Sequence, residues 1–75
     1  MGKLPVLSAK RVVRALLLAG FHIHHQTGSH ARLFHNTRPE LRVTIPIHPG
    51  DLPRSLVKRI LKQASLTEED FLKLL

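Results

Sequence analysis

Gly20-Phe21-His22-Ile23-His24-His25-Gln26-Thr27-Gly28-Ser29-His30-Ala31-Arg32-Leu33-Phe34-His35 is the stretch on which the fold turns. Phe21 to Gln26 alternates, with Phe21, Ile23 and His25 on one side and His22, His24 and Gln26 on the other. That period of two belongs to a half-buried strand. Thr27-Gly28 can reverse the chain, and Ser29 to His35 returns as a second strand. A two-residue loop at Thr27-Gly28 pairs His25 with His30 and Phe21 with Phe34. A slip of one residue in that pairing moves His30 to the other face.

Working outward, Ser8 is a good N-cap for a preceding helix. Ala9, Val12, Val13, Leu16 and Leu17 follow at helical spacing, with Lys10, Arg11 and Arg14 facing away. Gly20 stops this helix as a C′ glycine. Downstream, Asn36-Thr37-Arg38-Pro39 reads as a turn. Leu41, Val43, Ile45 and Ile47 then alternate with Arg42, Thr44, Pro46 and His48, a third strand. Pro46 lacks the ladder donor and marks a sheet edge or the end of pairing. Pro49-Gly50 breaks the chain, and Pro53 suits the first turn of a second helix. Its stripe is Leu52, Leu56, Val57, Ile60, Leu61 and Ala64. Thr67 caps a last short helix, with Asp70 three residues on and Leu66 poised to staple to Phe71. The order is α-β-β-β-α-α: an α+β fold with a three-stranded antiparallel sheet and its helices on one face.

Seventy-five residues make a single domain, 1–75. Chains this short bury only about 60% of their unfolded surface. The absence of cysteine excludes a disulfide framework and any thiolate zinc site. No apolar run reaches the roughly 18–20 residues that span a bilayer, and Arg11 and Arg14 interrupt the stretch an export signal would need. The expected location is the cytoplasm, with no membrane partner. Formal charge is +7, unevenly spread: residues 1–65 carry eleven Lys/Arg against Glu40 and Asp51. Such a body attracts polyanions, of which nucleic acid is the commonest in cytoplasm.

His30 is the leading candidate for chemistry. Metal-independent RNA cleavage needs a base for the ribose 2′-OH proton and an acid for the leaving 5′ oxygen. Histidine serves either role near neutral pH. Gly28 allows a backbone conformation that brings a phosphate close to the amides, and Ser29 can orient a phosphate oxygen. The bland alternative is a strand histidine bonded to a neighbour. His48, at the end of the third strand, is a second catalytic group if the sheet brings it toward His30; otherwise it is structural. His35 reads as a surface residue. His22 and His24 share a face, but a closed zinc site needs four ligands and no Cys, Asp or Glu lies near, so neither a metal nor another cofactor is expected. Arg54, Lys58 and Lys62 form a basic row; with Lys10, Arg14 and Arg32 they are candidate contacts to RNA phosphates. Phe21, Phe34 and Phe71 all fit the core, which leaves no aromatic for base stacking.

Ala15-Leu16 through Ala19-Gly20-Phe21, Gly28-Ser29-His30, Val43-Thr44-Ile45-Pro46-Ile47-His48 and Leu56 through Ala64, in this order, resemble the HicA toxin family, as does the closing Leu66-Thr67-Glu68-Glu69-Asp70-Phe71. The likeness covers nearly the whole chain. It implies a double-stranded-RNA-binding-domain-like fold. It also implies an mRNA-cutting ribonuclease that halts translation and growth as the toxin of a type II toxin–antitoxin pair. A cognate HicB-type antitoxin would block its active site, and His30 would be the catalytic histidine. Ala31-Arg32 follows where the family often has a second histidine or a hydrophobic residue, so the second proton carrier stays unassigned. The competing reading is a non-catalytic RNA-binding module, since this fold also grips A-form RNA by shape alone. A DNA-binding repressor is a third.

Overall fold

The computed structural model describes residues 4–75. A two-residue strand β1 (Leu7–Ser8) leads into helix α1 (Ala9–Leu18). Strands β2 (Phe21–Gln26), β3 (His30–His35) and β4 (Arg42–Pro46) follow, then a second short strand β5 (Asp51–Leu52), helix α2 (Arg54–Gln63) and helix α3 (Glu68–Leu72). β2, β3 and β4 form an antiparallel sheet in that spatial order, so Pro46 does lie on an edge strand. The α+β architecture and its α-β-β-β-α-α order are as the periodicity predicts. The additional two-stranded sheet of β1 and β5, pairing Leu7 with Leu52 and Ser8 with Asp51, is not expected from sequence. It takes Leu52 out of the second helix, whose N-cap is Pro53.

The helix ends follow their local chemistry. The Ser8 hydroxyl accepts from Arg11 N at 3.3 Å, and the Thr67 hydroxyl accepts from Asp70 N at 3.0 Å. Each satisfies one of the orphan donors of a first helical turn. α1 ends at Gly20, whose φ of +99° few other residues adopt. α2 ends in a Schellman turn: Leu66 N reaches Leu61 O at 2.9 Å and Ser65 N reaches Lys62 O at 3.2 Å. Ser65 occupies the left-handed position, φ +58°, where glycine is usual.

One core lies between the sheet and the helices. Phe21, Ala31, Leu33, Val43 and Ile45 from the sheet meet Val12, Leu16, Val57, Ile60, Leu61 and Phe71 from the helices, all buried. On α1 the buried stripe is Ala9, Val12, Ala15 and Leu16. Leu17, expected inside, is 43% exposed, and Ala15 takes its place because the stripe advances at i+3 rather than i+4. Among the described residues, the other face of the sheet carries no helix.

The hairpin register differs from the two-residue loop at Thr27-Gly28. Phe21 pairs with His35, His22 with Phe34 and Ile23 with Leu33; beyond a bulge at His24, His25 pairs with Arg32 and Gln26 with Ala31. Thr27 N donates to His30 O at 2.8 Å, so the connection is Gly28-Ser29. The expected pairs His25–His30 and Phe21–Phe34 do not form. The connection shifts the partner of His25 by two residues and the bulge takes back one, so the partner of Phe21 is shifted by one, which changes which side chains share a face. Phe34 leaves the core and stands on the uncovered face, opposite His22.

Candidate functional site

His30 opens β3, immediately after the bend, opposite Pro46 on β4. Ala31 and Leu33 point into the core, so alternation puts His30, Arg32 and Phe34 on the uncovered face. His30 is exposed, and Ser29 Oγ lies 3.0 Å from its Nδ1. Its Nε2 has no hydrogen-bond partner among the described residues.

Thr27 organises the bend. Its hydroxyl oxygen accepts from Ser29 N at 3.2 Å and His30 N at 3.1 Å, and it lies 3.3 Å from Ser29 Oγ. A threonine hydroxyl that receives the amides two and three residues on holds a tight turn without help from the rest of the fold. The result is a chain of contacts, Thr27 to Ser29 to His30, that orients the imidazole. In the sequence Thr27 reads only as a turn residue. The signal is there in Thr27 standing three residues before His30, but a hydroxyl's partners depend on turn geometry that spacing alone does not give.

Gly28 plays a different part from the one its type implies. Its φ is not in the left-handed region, and a Cβ built there would meet nothing within 4 Å. The backbone does not need a glycine here; the missing side chain leaves open space beside Ser29 and His30.

His48 is brought to the same end of the sheet. Ile47 N donates to Ser29 O at 2.7 Å, so the segment carrying His48 runs beside the bend. The His48 Nδ1 lies 3.0 Å from Pro49 O and can donate to it, which leaves Nε2 as the nitrogen open to other partners. His35 is a structural residue. Its Nδ1 accepts from Thr37 N and Arg38 N, both at 3.1 Å, and its ring meets Phe21 edge-on at 5.0 Å. Acceptance at Nδ1 places the ring proton on Nε2.

The candidate phosphate contacts divide between the two sides of the sheet. Arg32 shares the uncovered face with His30. Lys10 lies on the helix side, at a shallow cavity of about 280 Å³ lined also by Val13, Gln26, Ala31 and Ile47, residues that flank the hairpin end. Arg14 is farther along α1, beside Leu18 and Leu75. Lys58 and Lys62 flank a groove between α2 and α3. Arg54 is engaged within the fold, where its Nε donates to Leu4 O at 2.8 Å and pins the start of the described chain to α2. Charges on the described residues are nearly all unpaired. The ion pair among the described residues is Arg38 with Glu40 at 3.2 Å, exposed on both sides and weak for that reason. A hydrogen bond from backbone, opposed by desolvation and helped by Arg38, lowers the Glu40 pKa.

Among the described residues no three His, Cys, Asp or Glu side chains are grouped to hold a metal ion, and no helix is long and apolar enough to cross a membrane. No curated protein matches the chain. A protein-family model does: the HicA toxin of bacterial toxin–antitoxin systems matches residues 9–66, from the start of α1 past the end of α2.

Proposed function

The chain belongs to the HicA toxin family, and from that premise we propose that it acts as a metal-independent endoribonuclease that cuts mRNA in the cytoplasm and halts translation. His30 is its catalytic residue. The observation that carries this reading is the imidazole at the bend: exposed, oriented through Nδ1 by Ser29, and with no partner at Nε2 among the described residues. As a base, the neutral ring donates Nδ1–H to Ser29 Oγ and takes the ribose 2′-OH proton at Nε2. As an acid it is the imidazolium: Nδ1–H still donates to Ser29 Oγ while Nε2–H protonates the leaving 5′ oxygen.

The open space at Gly28 admits a phosphate close to the bend, and Ser29 serves to position it. Arg32, one strand step beyond on the same face, stabilises charge that develops on the phosphorus oxygens. His48 supplies the complementary proton transfer. Lys10, Arg14, Lys58 and Lys62 lie on the helix side and serve as longer-range phosphate contacts, with a salt-sensitive affinity. As a toxin of a toxin–antitoxin pair the chain has an inhibitory partner. A HicB-type antitoxin with an acidic face would suit so basic a surface.

The deciding experiment incubates the protein and a His30→Ala variant with mRNA in excess chelator. The parent cleaves, and the variant is slower by about 10²- to 10⁴-fold. Equal RNA binding with no cleavage by either protein would instead mark a non-catalytic RNA-binding module. Preferential binding of duplex DNA would mark a repressor.

A further inference from the structure

The uncovered face of the sheet holds a built aromatic stack that neither the core nor His30 requires. Phe34 projects from β3 away from the helices. The bulge in β2 aims His24 at it, and the two rings lie parallel, 9° apart in plane with centroids 4.0 Å apart. The Arg42 guanidinium sits 4.8 Å from the Phe34 centroid and that of Arg32 5.7 Å. His22 approaches Phe34 edge-on at 6.4 Å and is itself fixed by Asn36 Oδ1, 2.6 Å from its Nδ1. His24 is exposed and makes no side-chain hydrogen bond among the described residues.

We propose that this stack is a base-binding subsite for single-stranded RNA, in which a nucleotide base stacks on His24, backed by Phe34, while Arg42 and Arg32 hold the flanking phosphates. Three observations converge on that occupant. The arrangement is flat and aromatic, and aromatic rings accept any base by its face. The strand residues of this face include two arginines and no acid, which suits a polyanion. His30 lies on the same face four residues before Phe34, about 13 Å away at the usual strand rise. A strand of RNA laid along β3 therefore meets the proposed cleavage group and the stack in succession. Bases inside an A-form duplex are already stacked and paired, so the occupant is single-stranded. The inference rests on the ribonuclease reading for its substrate class but not for its test.

The test uses the full chain and short RNA oligonucleotides that carry the fluorescent base 2-aminopurine, with His30→Ala in the background to prevent cleavage. Stacking quenches the fluorescence on binding. His24→Ala abolishes the quenching and weakens single-stranded RNA binding by about 5- to 100-fold. His24→Phe, which keeps a flat ring at an exposed position, restores both. Affinity for duplex RNA is unchanged in either variant. Unchanged single-strand affinity in His24→Ala, or no quenching in the parent, overturns the subsite. The same holds if His24→Ala weakens only a protein partner. The two proposals separate cleanly. Cleavage by the native chain without a His24 effect sinks the subsite alone, whereas His24-dependent quenching without cleavage by the native chain sinks the nuclease alone.

Discussion

The two faces of one three-stranded sheet follow opposite rules. On the side toward the helices, Ala31, Leu33, Val43 and Ile45 are each no more than 2% exposed and belong to the apolar core. On the other side, their immediate neighbours His30, Arg32, Phe34, Arg42 and Thr44 meet solvent or one another. Alternation places both sets on the same strands, a residue apart. The contrast shows where a 75-residue chain can keep chemistry. With so little interior, it gives one face wholly to stability and leaves the other free of that duty.

Leu33 and Arg32 give the largest separation of the two faces. Leu33→Ala empties a fully buried site and destabilises by about 2–5 kcal/mol. A domain of this size holds about 4–11 kcal/mol in all, so the loss takes a large share of its stability. Arg32→Ala, next along the strand, changes stability by about 0.5 kcal/mol, while RNA binding and cleavage fall. Denaturant melts of both variants alongside an RNA titration make the comparison. Two variants with equal unfolding midpoints would break it.

Thr27 tests whether the bend belongs with the open face or with the core. Thr27→Val keeps the shape and removes the hydroxyl that receives the Ser29 and His30 amides. Those amides are exposed and water replaces the lost acceptor, so stability falls by only about 1 kcal/mol. Cleavage falls roughly tenfold because the ring at His30 is no longer oriented, and Thr27→Ser recovers it. A drop in kcat at unchanged KM identifies a positioning residue. A loss explained wholly by the unfolded fraction would return Thr27 to the fold.

The same contrast explains how much of the molecule is legible in its sequence. Period-two and helical spacing locate the three long strands and both long helices, and Ser8 and Thr67 mark helix starts, because each of these signals is local. The face assignment of β2 and β3 is not local. It depends on the bulge at His24 and on Gly28-Ser29 forming the connection, and an error of one residue sends Phe34 into the core. The expectation that no aromatic is left for base stacking follows from that error. β1 and β5, two residues each, have too little pattern to register and form where the segments just before α1 and α2 meet. His30 is legible as a candidate through its tripeptide, whereas Thr27 is visible only as turn chemistry.

Two glycines give the smallest and sharpest version of the comparison. Gly20 serves the core face: its φ is +99°, and an added Cβ would approach His35 Nε2 to 3.1 Å. Gly20→Ala therefore costs about 1–2 kcal/mol through backbone strain, before His35 and its turn shift. Gly28 serves the open face: its backbone lies outside the left-handed region and its surroundings are empty. Gly28→Ala leaves stability within about 0.5 kcal/mol, and any gain reflects the lower entropy of the unfolded chain. If substrate fills that space, the added methyl slows RNA cleavage even though the fold is intact. Equal cleavage by Gly28→Ala and parent at matched stability would mean that RNA approaches His30 from elsewhere, and the route along β3 past Arg32 and Phe34 would be the one left to test.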